Sequence, residues 1–597
     1  MLHGVSYSEL KSSRISKLSP LQSHLLNQIV PEEKDREAFL NSDLSSLPSP
    51  FLLPDMENSV KLIKKHIQMR SHILLYGDRD TDGVSSTALL GIFFRDTHEI
   101  NGGRLTIKTS SEKDDYGLCP SVMKFISNAK PNLLITLDFG SSNYSEINEL
   151  AEQGIDIIVL DHHEIPLKIP KCSLVNPKRE DSIYAEKRIC TSALAMKLIM
   201  AMRFAEKYDL IQKENGSLFS DGKYSNIPTL EYTNTYGDIC NYYMELLDLS
   251  SIGTITDMMP LVGENRIMVK YGIISLQNVI KGENKNRKGL YYLYHNLKLN
   301  PSKIFSKDLG WSLGPALNAA GRMGKSEISL ELLLCREDEQ ANKISKELLG
   351  LNKERKERTK RNLDRVNRYF ERKPDRKEGP ISFCYEPDME PGVSGIVATK
   401  LVETYKKPAI FITPDNGQAR GSIRSHKKEN VLDLLNKYSD ILIHFGGHPE
   451  AGGFSIEPEK IPEFYSRLTV YANDWLSDSL NSLSEEKSSV VSFNASELSE
   501  SIFEEISIFE PFGHGNQNPI ISIKNAKIIN YKPLSDGQHG RFSALGVSPK
   551  IKFVIWNFAS EFEKQISSSS SIDIWGYLEE NYFNSSTSIQ FVVTHFQ

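Results

Sequence analysis

The segment ILLYGDRDTDG, residues 73–83, places a short apolar run directly before three aspartates. Two other apolar runs end in the same way, because residues 133–137 lead into Asp138 and residues 155–160 lead into Asp161-His162-His163. Runs of this length and composition are typical of buried strands in a parallel sheet. Ligands of open α/β sheets bind beyond the carboxyl ends of such strands. The sequence therefore predicts that these acids and histidines converge at one edge of a parallel sheet.

Converging carboxylates predict a bound cation, because like charges at short range are costly or force one group to take up a proton. Asp and His ligands without Cys suit Mn²⁺ or Mg²⁺ better than structural zinc. Asp257, which follows a helical pattern, is a further candidate. Each feature alone has an ordinary explanation, since residues 78–83 are compatible with a turn and an aspartate after a strand often caps a helix. Their joint occurrence favours a metal site.

Length and composition indicate a globular protein built from several units. At about 150 residues per domain, the 597 residues predict about four structural units. The apolar share of 39% and the charged share of 25% are ordinary for globular proteins. No apolar run approaches the roughly 18 residues of a membrane span, and the first residues do not resemble a signal peptide. The six scattered cysteines form no CxxC pair, which predicts free thiols in a reducing compartment such as the cytoplasm.

Three changes of composition divide the chain. Polar and turn residues dominate residues 204–243, which predicts a surface insertion. Residues 353–377 carry twelve Lys or Arg and five Asp or Glu, which predicts a long exposed helix whose basic face suits solvation as well as phosphate contact. Residues 477–489 predict a polar linker. Alternating strand-like and helix-like runs before the basic helix predict an α/β fold, and β-rich runs after the linker predict a small barrel or sandwich.

Several of these segments resemble the motifs of a known superfamily. GDRDTDG (77–83), Asp138, DHH (161–163) and GTITDMMPL (253–261) follow, in order, the motifs of the DHH phosphoesterase superfamily. Further segments are similar to its RecJ branch, and together they cover nearly the whole chain in the family's order: GENRIMVKYG (263–272), GPALNAAGRMG (314–324), PGVSGIVATKLVE (391–403), ARGSIRS (419–425), FGGHPEAGG (445–453) and PFGHGNQNP (511–519).

The resemblance implies an exonuclease that degrades single-stranded DNA from the 5′ end, acts in recombination and repair, and requires two divalent cations, Mn²⁺ or Mg²⁺. The implied metal ligands, with Asp138 bridging the two cations, are Asp80, Asp82, Asp138, His162 and Asp257. His163 is expected to face the scissile phosphate, and Asp78 and Asp161 to orient the site. The residues expected to contact substrate are Arg322, Arg420, Ser422, Arg424 and His448, although Arg322 is also compatible with an ion pair between lobes.

The resemblance also implies a domain organisation and partners. We expect a DHH phosphoesterase domain with a parallel sheet over residues 1–345, a connecting helix over 346–378, a smaller α/β DHH-associated substrate-binding domain over 379–478, and a C-terminal OB-like β-barrel for nucleic acid over 490–597. The expected partners are single-stranded DNA, a RecQ-type helicase and a single-strand-binding protein. The expected assembly is a monomer that does not contact a membrane.

Two positions depart from the RecJ pattern in a way that concerns the substrate. Ser111 and Ala316 stand where arginines are usual, which predicts weaker discrimination of a 5′ phosphate. Two other functions remain open: a phosphodiesterase for short oligonucleotides or cyclic dinucleotides, and a non-catalytic replication scaffold. Proteins of the first class are generally shorter and lack the C-terminal OB-like domain, and proteins of the second class have lost metal ligands. This chain has the C-terminal β-rich region and all five expected ligands, which favours the exonuclease.

The net charge of −6 argues against a protein that is basic throughout, as many nucleic-acid binders are. DNA binding requires only a local basic track, and part of the acidity belongs to the predicted metal site. The candidates for this track are Arg322, Arg420, Arg424 and the helix over residues 353–377. We therefore expect modest and salt-sensitive binding away from the active site.

Overall fold

The computed structural model describes residues 5–6, 18–41, 43–111, 117–215, 244–415, 417–427, 429–480, 490–534 and 537–597. Most of the predicted insertion and of the predicted linker, residues 216–243 and 481–489, therefore lies outside the described residues. The chain divides into two compact units. One comprises Met1–Gly321, Ser326–Lys346 and Ser488–Gln597, and the other comprises Arg322–Lys325 and Glu347–Lys487.

The first unit contains a parallel five-stranded sheet, in agreement with the predicted fold class. Strand β1 (Val5–Ser6) belongs to another sheet of this unit. The parallel sheet has the order β3-β2-β4-β5-β6, with β2 (His72–Gly77), β3 (Arg104–Thr109), β4 (Leu133–Leu137), β5 (Asp156–Leu160) and β6 (Ser173–Val175). Strands β2 and β4 are buried along their whole length, which explains why each reads as an unbroken apolar run.

Thirteen α-helices lie in the described part of this unit that precedes residue 335. Several of them pack on the parallel sheet, whereas Leu21, Leu25 and Leu26 of the first helix belong to the core of the C-terminal sheet. The helices are α1 (Pro20–Ile29), α2 (Glu33–Asn41), α3 (Met56–Gln68), α4 (Thr81–Thr97), α5 (Pro120–Ala129), α6 (Tyr144–Glu152), α7 (Thr191–Asn215), α8 (Leu247–Thr256), α9 (Gly263–Ile280), α10 (Lys288–Asn296), α11 (Ser306–Asp308), α12 (Gly314–Arg322) and α13 (Ser326–Leu334). A π-helical turn, Leu309–Leu313, leads into α12. Among the described residues, no helix has the length and apolarity that a membrane crossing requires.

The predicted connecting helix, residues 346–378, corresponds to two helices. Helix α14 (Asp338–Arg372) has 35 residues and begins eight positions earlier than expected, because Asp338 and Glu339 supply a favourable acidic first turn. Helix α15 (Pro374–Glu378) follows directly, with its proline in the first turn, where a missing N–H has no cost.

The second unit is a smaller α/β fold around a five-stranded sheet of order β10-β11-β9-β8-β7. Strands β7 and β8 are parallel and the other pairs are antiparallel. The strands are β7 (Ser382–Tyr385), β8 (Ala409–Asp415), β9 (Gln418–Arg424), β10 (Leu442–His448) and β11 (Ala451–Ile456), and the helices are α16 (Ser394–Tyr405), α17 (Val431–Lys437) and α18 (Ile461–Leu480).

The C-terminal part of the first unit is β-rich, as predicted. Its eight-stranded mixed sheet has the order β1-β12-β13-β17-β18-β16-β15-β14. Its elements are β12 (Val490–Phe493), α19 (Glu500–Ser507), β13 (Ile520–Ala526), β14 (Ile528–Leu534), β15 (His539–Ala544), β16 (Ile551–Ile555), α20 (Ala559–Ser568), β17 (Ile572–Phe583) and β18 (Ser586–Phe596). Strand β15 is short and polar, so its sequence does not single it out.

Arg266, on α9, joins the parallel-sheet region to the C-terminal sheet region. Its guanidinium donates hydrogen bonds to the carbonyl oxygens of Phe509 and Glu510, both at 2.9 Å. The same guanidinium lies 3.9 Å from the centre of the Phe39 ring. Burial lowers the pKa of Arg266 to about 10. Because a buried cation without partners is costly, these contacts tie three segments of the chain to one side chain.

Glu510 makes this junction sensitive to pH. Burial raises the pKa of the Glu510 carboxyl to about 7, although the Phe512 amide donates to its Oε2 atom at 2.7 Å. A carboxyl with a raised pKa binds a proton more tightly in the folded state than in the unfolded state. Its contribution therefore lowers the free energy of unfolding as the pH rises from about 4.5 to about 7.

We predict that Glu510→Gln stabilises the protein at pH 8 but not at pH 5. Glutamine keeps an oxygen acceptor for the Phe512 amide and removes the charge, so the gain at pH 8 is expected to reach up to about 3 kcal/mol. Thermal melting at the two pH values measures the difference. Glu504→Gln, an exposed change on the same segment, serves as the control and should follow the unmodified protein. An equal effect of Glu510→Gln at both pH values would contradict this account.

Candidate active site

The carboxyl ends of three strands lie side by side in the first unit. Gly77 pairs with Leu137, and Leu137 pairs with Leu160, so β2, β4 and β5 end level with one another. The amides of the three following acids continue the ladder: Asp78 N donates to Leu137 O at 3.0 Å, Asp138 N to Leu160 O at 3.0 Å, and Asp161 N to Val175 O at 3.2 Å. The backbone therefore holds these acids in one row, as the sequence predicts.

The segment between β2 and α4 adds two more acids to this row. Asp80 caps α4, because its Oδ1 accepts a hydrogen bond from Gly83 N at 3.0 Å. Asp82 lies in the first turn of α4 and is 2% exposed. A Cβ at position 83 would lie 2.6 Å from the Asp78 carbonyl oxygen, so only glycine lets the loop fold this closely onto the helix. The Thr81 amide donates to Asn318 Oδ1 at 2.8 Å, which fixes the segment from α12.

Three overlapping clusters of acids and histidines form at this edge. In each cluster the possible ligand atoms lie within 4.8 Å of one another. His162 Nε2 lies 3.3 Å from Asp138 Oδ1 and 3.4 Å from Asp257 Oδ2. Asp138 and His162 are each shared by two clusters, which are Asp78–Asp80–Asp138, Asp82–His162–Asp257 and Asp138–His162–His163. All five expected metal ligands thus lie together, and Asp78 and His163 are within reach of the same positions.

The electrostatics of the clusters fit a bound cation. Burial raises the pKa of Asp138 well above its usual value, and the charges of Asp80 and Asp82 raise it further. Burial and Asp80 likewise raise the pKa of Asp82 to about 6. Asp257 Oδ2 is buried and accepts no hydrogen bond from the part of the chain that the structure describes. Carboxylate and imidazole donors without cysteine match the preferences of Mn²⁺ and Mg²⁺, so the residues present suit these cations.

Asp161 has a different environment from the other acids and holds His163. Its Oδ1 accepts hydrogen bonds from the His162 amide at 2.8 Å and from His163 Nδ1 at 2.8 Å, and its Oδ2 accepts from Ser141 N at 2.9 Å. Burial alone would raise the pKa of Asp161, but the bonds and charge of His163 lower it strongly. Burial would lower the pKa of His163, but Asp161 raises it to about 9. The Asp161 carboxylate therefore favours the protonated form of His163.

Sequence reasoning missed several groups that hold these acids. The amides of Thr191 and Ser192, at the start of α7, donate to Asp82. Ser110, just after β3, donates to Asp78 Oδ1 at 3.1 Å. Arg79 Nη1 donates to the Ser111 carbonyl at 3.4 Å. Every residue except proline has a backbone N–H, so no sequence signal marks Thr191 or Ser192 as donors to Asp82. Arg79, in contrast, lies inside the segment GDRDTDG (77–83).

Three of the expected substrate residues share one face of β9. Arg420, Ser422 and Arg424 alternate with the buried residues Ala419 and Ile423, as the period of a strand dictates. Two glycines of neighbouring strands continue the row beside Ser422, because Ser422 pairs with Gly453 and Gly453 pairs with Gly446. Apart from the adjoining residues of its own strand, no atom of the described residues lies within 4 Å of a Cβ built on Gly446, so a ligand has room to approach this backbone.

The cations of this face have different surroundings. Burial lowers the pKa of Arg424 to about 10, and the charge of Arg322 lowers it further. Arg424 Nη1 donates to the Ile423 carbonyl at 2.8 Å. Arg420 forms an ion pair with Asp415. His448 ends β10 and Arg322 ends α12. Two arginines held close together favour an anion between or beside them.

Several arginines of the basic stretch of α14 form ion pairs within the second unit. Arg361 and Arg365 form ion pairs with Glu390 at 2.8 and 2.7 Å, and Arg372 pairs with Glu386 at 2.8 Å. Arg361 also pairs with Glu354 on the same helix at 3.1 Å. The sequence left both solvation and phosphate contact open for this basic face. For the arginines in these ion pairs, a structural role is favoured over phosphate binding.

Comparison with known proteins defines the class first. Three family models match successive parts of the chain: the DHH family N-terminal domain over residues 72–220, the DHHA1 domain over residues 378–474, and the RecJ OB domain over residues 491–595. The parallel sheet with its acid row lies in the first match, and the β9 face lies in the second. The chain is thus a DHH-type protein with a DHHA1 domain and a C-terminal OB domain, in agreement with the predicted fold class.

The chain belongs to the RecJ family. It is 30% identical to the single-stranded-DNA-specific exonuclease RecJ of Escherichia coli (strain K12) over 437 residues, which cover 72% of this chain and 71% of that protein. It is 27% identical to the protein of the same name from Bacillus subtilis (strain 168) over 93% of this chain. That match covers 65% of the Bacillus protein's length.

Solved RecJ structures have the same fold. The crystal structure of RecJ from Thermus thermophilus in complex with Mn²⁺ matches 98% of this chain and 79% of that chain, with a TM-score of 0.70 and 22% identity. A structure of exonuclease RecJ bound to manganese matches 74% of this chain and 98% of that chain, with a TM-score of 0.56 and 25% identity.

We predict that Asp138→Asn raises the melting temperature of the protein in the presence of a chelator by a few degrees. The change relieves the repulsion of Asp138 by Asp80 and Asp82, while the amide oxygen still accepts a hydrogen bond. Added Mn²⁺ should raise the melting temperature of the unmodified protein and have much less effect on the variant.

Asp156→Asn is the matched control for this measurement. Asp156 lies on the same sheet but pairs with Lys65 and His66, so its removal relieves no repulsion among acids. The control should not stabilise the chelated protein and should keep the full response to Mn²⁺. Equal responses of Asp138→Asn and the unmodified protein to Mn²⁺ would show that Asp138 does not contact the cation.

Proposed function

We propose that this protein is a metal-dependent exonuclease that hydrolyses the phosphodiester bonds of single-stranded DNA from the 5′ end. The observation that carries the proposal is the overlap of three clusters of acids and histidines at Asp138 and His162. A pair of cations held there would supply an activated water and stabilise both the attacking and the leaving oxygen. Membership of the RecJ family, whose matched relatives are named as single-stranded-DNA-specific exonucleases, supports the substrate and the reaction.

Each side chain of the centre has a role in this proposal. Five residues would hold the cations, and Asp138 would serve both of them: Asp80, Asp82, Asp138, His162 and Asp257. Asp161 anchors Nδ1 of His163, so that the protonated ring presents Nε2–H to a phosphate oxygen of the scissile bond. Asp78 accepts a hydrogen bond from Ser110 and orients the centre from the end of β2.

The second unit supplies the contacts to the DNA backbone in this proposal. Ser422 and Arg424 share one face of β9, and each can donate to a phosphate oxygen without reading a base. Arg322, Arg420 and His448 extend this set. Such a local track permits DNA binding by a chain whose net charge is −6. The proposed partners are a RecQ-type helicase and a single-strand-binding protein, and the proposed form is a cytoplasmic monomer.

We predict Mn²⁺-dependent degradation of single-stranded DNA and no degradation of blunt duplex DNA. Asp138→Ala should lower the rate by more than about 100-fold, because both cations lose a ligand. Oligonucleotides labelled at either end give the direction of attack from their product ladders. Asp156→Asn should leave the rate unchanged.

The outcomes of this assay separate the alternatives. Cleavage of dinucleotides without cleavage of longer strands would assign the protein to the short-oligonucleotide phosphodiesterases. DNA binding without any metal-dependent cleavage would assign it to the non-catalytic scaffolds.

We further predict weak discrimination between 5′-phosphorylated and 5′-hydroxyl strands. Ser111 offers no cation, and Ser111→Arg should increase the preference for a 5′ phosphate by about 10-fold, the effect of one charge-assisted contact. Initial rates on the two substrates measure this ratio. A strong preference in the unmodified protein that disappears in Arg79→Ala would contradict the prediction and assign the phosphate to Arg79, which contacts the Ser111 carbonyl.

A further inference from the structure

Helix α7 begins inside the acid row and holds Asp82 by its backbone. The Thr191 amide donates to Asp82 Oδ2 at 2.7 Å, and the Ser192 amide donates to Asp82 Oδ1 at 3.0 Å. These are orphan donors of a helix N-terminus, where the helix dipole favours a negative charge. Because a carboxylate has about four acceptor positions, one on each oxygen of Asp82 remains available to a cation.

The side chain of the same threonine holds a second acid. Thr191 Oγ1 donates to Asp138 Oδ1 at 3.0 Å, and Thr191 is fully buried. Asp138 belongs to the cluster with Asp78 and Asp80, whereas Asp82 belongs to the cluster with His162 and Asp257. Thr191 therefore contacts one acid of each cluster, one through its amide and the other through its hydroxyl.

This contact differs from the ordinary use of a threonine at a helix start. A hydroxyl in this position usually bonds to a backbone group of its own first turn. The Thr191 hydroxyl instead bonds to a carboxylate 53 positions away in the chain. The β-branched side chain has few rotamers, so its hydroxyl has few alternative directions.

We propose that Thr191 is a positioning residue that sets the orientation of the Asp138 carboxylate relative to Asp82, and thereby the affinity of the site for divalent cations. This inference rests on the proposed metal-dependent function. Groups that orient metal ligands tune metal affinity, and their loss typically weakens binding by about 10- to 100-fold. The hydroxyl is the informative group, because it can be removed while the amide that holds Asp82 stays in place.

The test compares Thr191→Val, Thr191→Ser and the unmodified protein. Calorimetric titration of Mn²⁺ into chelator-treated protein, without DNA, measures cation binding directly. Thr191→Val should weaken binding by about 10-fold or more. Thr191→Ser retains the hydroxyl and should restore binding to near the level of the unmodified protein. In nuclease assays at saturating Mn²⁺, Thr191→Val should lower kcat and leave KM for DNA unchanged.

Thr87→Val is the matched control. Thr87 is also fully buried, but its hydroxyl donates to the Gly83 carbonyl at 2.6 Å and touches no acid. It should bind Mn²⁺ as the unmodified protein does. Thermal melting establishes that each variant is folded, and Thr191→Ala provides a smaller replacement if valine does not fit.

The outcomes distinguish this inference from the proposed function. Unchanged Mn²⁺ binding in folded Thr191→Val, a failure of Thr191→Ser to restore binding, or an equal loss in Thr87→Val would each overturn the role of Thr191. Absence of Mn²⁺ binding in the unmodified protein would overturn the metal-dependent function as well.

Discussion

Repulsion among the carboxylates at the end of the parallel sheet is the constraint on which the site depends. Asp82 and Asp138 are each 2% exposed and lie in overlapping clusters with three other acids. Water cannot screen charges in such surroundings, so the folded chain tolerates them only through protonation or a cation. The rigid ladder that aligns β2, β4 and β5 holds the acids in place against this repulsion. The repulsion among these acids lowers the stability of the folded chain when no cation is bound.

The environment divides the acids into two kinds. Asp161 accepts hydrogen bonds from three backbone amides and from the His163 ring, and these bonds lower its pKa. Asp138 has the Thr191 hydroxyl as a donor and several acids beside it, and its pKa is raised. Environments that push the pKa values of neighbouring groups apart are typical of sites that divide chemical roles. Asp161 is suited to fixing a protonated histidine, and Asp138 is suited to a cation.

Local patterns account for what the sequence could predict. An apolar run followed by an acid is readable residue by residue, so the strands before Asp78, Asp138 and Asp161 were predicted and confirmed. Groups that act across the fold leave no such pattern. Thr191 and Arg266 read as ordinary helix residues, and their partners lie 53 and 227 or more positions away. The ion pairs of α14 likewise could not be predicted, because Glu390 lies outside the helix and its position depends on the fold.

The two departures from the family pattern have different physical meanings. Ala316 is fully buried in α12, so an arginine there would require a different packing of that helix, and its absence is a feature of the core. Ser111 is partly exposed just after β3, and the Arg79 guanidinium contacts its carbonyl. Arg79 itself lies between two acids of the row. Position 111, unlike position 316, can therefore accept a larger side chain without repacking of the core.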